Sequence, residues 1–101
     1  MRSAWVMTLK PGQEASYKQK HDEIWPEMID MLKAQGISNY SIYRHGLTLF
    51  AHLERDESAT PDEAAFEELA QRWKEWMAPH METHADLTPV VDHVEEVFRL
   101  D

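Results

Sequence analysis

Two strand-like runs, "ISNYSIYRH" and "LTLFAHLER", are joined through His45-Gly46 with almost nothing between them. A connection that tight leaves no room for a crossover, so the runs must pair antiparallel as a hairpin. The second run alternates strictly. Leu47, Leu49, Ala51 and Leu53 fall on one side, and Thr48, Phe50, His52 and Glu54 on the other. The opening "SAWVMTL", bounded by "KPG", reads as another strand, with Trp5, Met7 and Leu9 opposite Ala4 and Val6. "HVEEVFRL" reads as a fourth. The pattern between them is helical. One helix is expected from about Gln13 to Gln35, closed by Gly36. A second follows Thr60, Pro61 and Glu63, which have the spacing of a capping box, and runs to about Met77, where Pro79 stops it. "ETHADLTPVVD" lacks periodicity and reads as loop.

The order β-α-β-β-α-β matches the ferredoxin-like α+β sandwich, an antiparallel four-stranded sheet with two helices on one face. With 101 residues and no repeat or linker, residues 1–101 are expected to form a single domain. Both sheet faces carry apolar groups, Phe50 and Val6 among them on the side away from the helices. Two sheets packed face to face would bury that second surface, so a homodimer is expected.

Composition excludes several function classes. A net charge of −9 disfavours nucleic acid and anionic membranes as partners, and argues against an anionic substrate, whereas a neutral ligand such as a sugar meets no barrier. The absence of cysteine removes disulfides, thiolate nucleophiles and Cys-type zinc sites. The N-terminus has no signal-peptide pattern and no stretch is apolar enough to span a membrane, which makes the cytoplasm the default location.

Within "YKQKHDEIWPEM", helical spacing sets His21 in the apolar stripe of Tyr17, Ile24, Met28 and Leu32, all within about 60° of Tyr17. Trp25 sits at its margin. Tyr17 and His21 are i,i+4 neighbours whose polar atoms emerge together. Pro26 has no N–H to donate to Asp22, so the helix should kink after His21. A histidine on such a stripe reads equally as a core residue with one hydrogen bond or as a site. In the second helix, Phe66, Leu69, Ala70, Trp73 and Met77 form a core stripe, and Trp73 and Trp76 place two indoles near its end. Such rings can pack the core or stack on sugar C–H faces. His80 and His84 have the spacing of a metal pair, but no third ligand lies nearby, so no metal is expected.

Taken together, the residues resemble the L-rhamnose mutarotase family. The resemblance covers nearly the whole chain: the early "VM" strand ahead of a proline, Tyr17, "H…IWPE" (His21, Ile24, Trp25, Pro26, Glu27), "NY-IY" (Asn39, Tyr40, Ile42, Tyr43), "LFA", "QRW" and the terminal "EVF-L". It implies a small ferredoxin-like homodimer, of the dimeric α+β barrel kind, that interconverts the α and β anomers of a deoxy-aldopyranose without a cofactor. By motif position it implies that His21 is the proton donor, that Tyr17 and Tyr40 bind the sugar, and that Trp73 is an aromatic contact, with Trp76 a further candidate. The family pattern has a second tryptophan directly after Trp73, where this chain has Lys74, a departure that bears on the preferred sugar. The base is left open among Glu27, a tyrosine and a group from a partner subunit. Two other readings fit the frame, a cofactor-free monooxygenase and a non-catalytic binding module, but neither accounts for the histidine and tyrosine motifs.

Overall fold

The computed structural model describes residues 1–101. Four strands, β1 (Arg2–Thr8), β2 (Ile37–His45), β3 (Thr48–Arg55) and β4 (Asp92–His93), form one sheet in the order β2-β3-β1-β4, and every neighbouring pair is antiparallel. This is the expected ferredoxin-like strand order. At the hairpin, His45 pairs with Thr48, leaving Gly46 and Leu47 as a two-residue loop. Gly46 has φ 62°, the left-handed value that the first loop position of such a hairpin requires.

The core lies where alternation places it. Met7 of β1, Leu9 just after it, and Leu49 and Ala51 of β3 are buried against Tyr17 and Met77 from the helices. Burying each large apolar side chain contributes about 1.5–3 kcal/mol. The opposite face stays open, with Phe50 45% and Tyr43 64% exposed and cross-strand paired.

There are three helices rather than the two expected: α1 (Glu14–Asp22), α2 (Pro26–Ala34) and α3 (Glu63–Met77). The break between α1 and α2 corrects the expectation of one kinked helix, and proline chemistry explains it. A residue preceding proline is pushed out of the helical region, and Trp25 adopts φ −63°, ψ 137°. Pro26 then opens α2 at its first position, where a missing N–H costs nothing. The Trp25 carbonyl accepts from Met28 and Ile29, which starts the new helix.

Two further expectations are corrected. The capping box does not form: α3 starts at Glu63 after Asp62, without a side-chain cap. Ala70, placed on the core stripe by spacing, is exposed; Phe66, Leu69 and Trp73 are half-buried, and Met77 alone on α3 is buried. After α3 a short 3-10 turn (Ala78–His80) returns the chain to the end of β1, through Lys10 N–H to the His80 carbonyl and Glu82 N–H to the Thr8 carbonyl. The final strand is also much shorter than "HVEEVFRL". Only Asp92 and His93 pair, opposite Val6 and Trp5. Val94 adds one hydrogen bond to the Ala4 carbonyl and Glu96 pairs with Arg2, after which Val97, Phe98 and Leu100 are exposed. A single chain offers them no second layer to pack on.

Candidate active site

Between α1, α2, the helix-facing side of β2 and Trp73 of α3 lies a cavity of about 670 Å³. Tyr17, His21, Ile24, Met28 and Leu32 all line it, so the stripe read from helical spacing survives the break at Trp25. The β2 wall begins at a bulge. Ser38 pairs with Glu54 and Ser41 with His52, so Asn39 and Tyr40 together oppose Leu53. Asn39 takes φ 49° and donates from its side chain to Glu54 Oε2 at 2.8 Å. The extra residue switches the alternation of the strand. Ile37 faces the helices before the bulge; after it, Tyr40, Ile42 and Arg44 turn to the cavity.

An aromatic frame holds His21. Its ring lies 4.3 Å from that of Tyr17 at 32°, and meets the edge of Trp73 at 5.5 Å and 86°. Trp25 braces Trp73 from behind at 5.2 Å. Tyr40 packs on Trp5 at 5.9 Å. His21 Nδ1 lies 3.1 Å from the Tyr17 backbone oxygen. Burial lowers the His21 pKa, against the smaller raising effects of that hydrogen bond and of Asp22. Burial raises the pKa of Tyr17, helped by the neighbouring Tyr40, and burial alone raises that of Tyr40, so both phenols keep their protons. The one sealed, unpartnered polar side-chain atom in the protein is His80 Nε2, so His21 Nε2 and the tyrosine hydroxyls stay open to solvent or ligand.

Four of the five residues singled out from sequence, Tyr17, His21, Tyr40 and Trp73, line this one cavity. Trp76 does not. It packs on the far side of Trp25 at 5.7 Å, under the Lys20 ammonium, which lies 4.2 Å from its ring centre and donates to the Trp76 carbonyl. Three positions beyond Trp73 puts Trp76 about 60° round the helix and nearly a full turn farther along it, past the end of the cavity. Lys74 is also absent from the lining and sits near Asp86, whose pKa is lowered first by its bond from the Thr88 N–H and further by Lys74. Glu27 is exposed and outside the cavity; the carboxylates that reach its lining are Glu14 and Asp22. Lys18 Nζ clamps both Asp22 oxygens, at 2.8 and 3.0 Å. Arg44, which sequence reasoning missed, carries the signal of lying two residues beyond Ile42 on one strand face. His80 is buried, with Nδ1 2.6 Å from Gln13 Oε1, whereas His84 is exposed.

Comparison with known proteins decides the family. The L-rhamnose mutarotase family model matches residues 2–100. The chain belongs to the L-rhamnose mutarotase family. Relatives named L-rhamnose mutarotase include one from Listeria monocytogenes, 44% identical with 98% of this chain and 97% of that one covered, and one from Bacillus subtilis, 43% identical with 99% and 98% covered. A crystal structure of L-rhamnose mutarotase from Formosa agariphila superposes with a TM-score of 0.87 at 37% identity, covering 100% of this chain and 99% of that one. The likeness extends over the sheet and all the elements that wall the mutarotase-family cavity. No helix is long and apolar enough to cross a membrane, and no three His, Asp or Glu side chains are placed to share a metal ion.

Proposed function

We propose that this chain is an isomerase that interconverts the α and β anomers of L-rhamnose or a closely related deoxy-sugar by acid–base opening and closing of the ring. The observation that carries the reading is the convergence of His21, Tyr17, Tyr40 and Trp73 on one cavity, in a chain of the mutarotase family. The cavity suits a pyranose. Its volume falls within the usual range for small-ligand sites, and its wall is mainly apolar with a few polar groups. Trp73 offers an indole to a sugar C–H face. Tyr17 and Tyr40, which keep their protons, donate hydrogen bonds to sugar oxygens. The His21 imidazole can both take and give a proton, and burial lowers its pKa from the ordinary histidine value.

Mutarotation moves one proton off the anomeric hydroxyl and one onto the ring oxygen. The C1–O5 bond opens, the C1–C2 bond rotates, and the ring recloses on the other face of the aldehyde. His21 is the group placed to handle these protons. The aromatic frame fixes its ring, and such positioning supplies much of the advantage over solvent. The same reading includes a homodimer formed through the open sheet face, supported by the apolar row of Val6, Phe50 and Tyr43 and by the exposed Val97, Phe98 and Leu100.

Saturation-transfer NMR or polarimetry on L-rhamnose and related aldoses tests the function. Wild type should accelerate anomer exchange, and His21→Ala should lose about 10²-fold of that acceleration. No acceleration of any aldose would refute the mutarotase reading. Full activity in His21→Ala would remove the histidine from the mechanism while leaving the function standing.

A further inference from the structure

We propose that His21 enters the reaction neutral, with its proton on Nδ1, and that Nε2 first takes the anomeric hydroxyl proton and then returns it to the ring oxygen. One imidazole would thus be base and acid in turn. This rests on the mutarotase reading above, and it reverses the starting state of a histidine that begins as proton donor.

The geometry fixes the tautomer. Nδ1 lies 3.1 Å from the Tyr17 backbone oxygen, and a carbonyl oxygen can only accept. Nδ1 must therefore carry the proton, and Nε2 alone can address a ligand. Whether Nε2 is also protonated depends on what faces the ring. From its own helix come Glu14, Tyr17, Lys18 and Asp22. The Asp22 carboxylate is already held by Lys18, and Glu14 accepts from the Gly12 N–H at 3.1 Å. From β2 come Tyr40 and Arg44, a phenol and a cation, while Tyr43 belongs to the open face and meets the cavity only at its rim. The α2 wall is apolar, and α3 presents the edge of Trp73. No carboxylate hydrogen-bonds to the His21 ring, and the two carboxylates of the lining are matched by two cations, Lys18 and Arg44. The lowered His21 pKa, caused chiefly by burial, agrees with that arrangement.

The step balances without another acid or base. Nε2 takes the proton from O1. The O1 lone pair forms the C1=O double bond, the C1–O5 bond breaks, and its electron pair goes to O5. The Nε2–H proton then passes to O5, leaving His21 neutral and the sugar open. O1 and O5 are bonded to the same carbon, so one nitrogen reaches either with a small displacement. Tyr17 and Tyr40 donate hydrogen bonds to sugar oxygens throughout and lose no proton. Ring closure after rotation about C1–C2 runs the same steps backwards on the other aldehyde face. This also accounts for a cavity whose carboxylates are engaged elsewhere.

Two measurements on the intact protein test the proposal. Long-range ¹H–¹⁵N correlation spectra report the His21 tautomer, with His21→Gln used to assign its signals. The pH dependence of kcat/KM for anomer exchange reports the working protonation state. Expected is the Nδ1–H tautomer at pH 7.5, with kcat/KM falling about tenfold per pH unit below the His21 midpoint and flat from above it to pH 9. An Nε2–H tautomer or an imidazolium at pH 7.5 would overturn the proposal, as would a rate that falls when pH rises through the midpoint. So would a second, descending limb between pH 7 and 9, because it would require another titrating group. A protein that accelerates no aldose would overturn the mutarotase reading itself, whereas the wrong tautomer with exchange intact overturns only this role of His21.

Discussion

Gly36→Ala should destabilise the fold far more than the same change at the two other glycines. Gly36 sits between α2 and β2 at φ 78°, and its carbonyl accepts from the Asp56 N–H at 2.8 Å. A Cβ there would lie 2.7 Å from the Asp56 carbonyl oxygen and 2.8 Å from Ala59 Cβ. Gly12 and Gly46 also have positive φ, 81° and 62°, but a Cβ at either meets nothing within 4 Å. The left-handed conformation costs alanine about 1–2 kcal/mol at all three sites. Reduced freedom of the unfolded chain returns about 0.4–1 kcal/mol of that. Gly12→Ala and Gly46→Ala should therefore cost about 1 kcal/mol. At position 36 the contact is with backbone, which must shift. Overpacking of this kind costs about 1–3 kcal/mol, and weakening the Asp56 hydrogen bond adds about 1 kcal/mol. The total is about 3–5 kcal/mol, a drop in Tm of about 12–25 °C for a domain of this size. Urea titration of the three variants, compared at unchanged m, measures the difference. A Gly36→Ala cost within 0.5 kcal/mol of the Gly12→Ala cost would refute the steric argument and leave only the dihedral term.

Trp73→Ala should raise KM for the sugar about tenfold, from loss of a stacking contact worth about 1 kcal/mol or more, while Trp76→Ala should leave KM within about twofold because Trp76 packs outside the cavity. Equal KM effects would show that the indoles share the ligand. Tm should fall as pH drops from 7 to 5. Burial lowers the pKa of His21 and His80, with Lys20 adding to the effect at His80, so below about 6.5 the unfolded chain binds protons that the folded one does not. That stability is complete above about 6.5 and is lost as pH falls through the folded values. A thermal-melt series that is flat over this range, or no flatter in a His21→Gln/His80→Gln variant, would contradict it. Phe50→Lys should convert the expected dimer to a monomer with the cavity intact; a monomeric wild-type mass by light scattering at micromolar concentration would refute the face-to-face packing.

The sheet was legible because its information is local. Alternation in "LTLFAHLER" and a connection too short for a crossover set β3 and its pairing, and Met7, Leu9, Leu49 and Ala51 are buried as their period requires. The stripe from Tyr17 to Leu32 was legible for the same reason. What periodicity missed are the places where the backbone leaves its period. Trp25 is expelled from the helix by Pro26, so a kink became a break. Asn39 and Tyr40 form a bulge that no residue type in "ISNYSIYRH" announces, which hid Arg44 from the site. The spacing of Thr60 and Glu63 fits a capping box, yet α3 begins at Glu63, two residues after Pro61. The last strand was read too long because alternation reports which residues want cover, and not whether one chain supplies it. Position along α3 separates Trp73 from Trp76 only once the direction of the cavity is known.

The bulge makes the β2 wall tolerant of a change in residue count. Tyr40, Ile42 and Arg44 take their facing from the hairpin, where Arg44 pairs with Leu49 and Ile42 with Ala51, and the added residue reconciles it with that of Ile37. Deleting Asn39 would leave Ser38 opposite Glu54, Tyr40 opposite Leu53 and Ser41 opposite His52, a regular ladder in which Tyr40, Ile42 and Arg44 still face the cavity. Three of the fifteen cavity-lining residues thus take their direction from the turn at Gly46, and the bulge is where the strand can lose a residue without disturbing them.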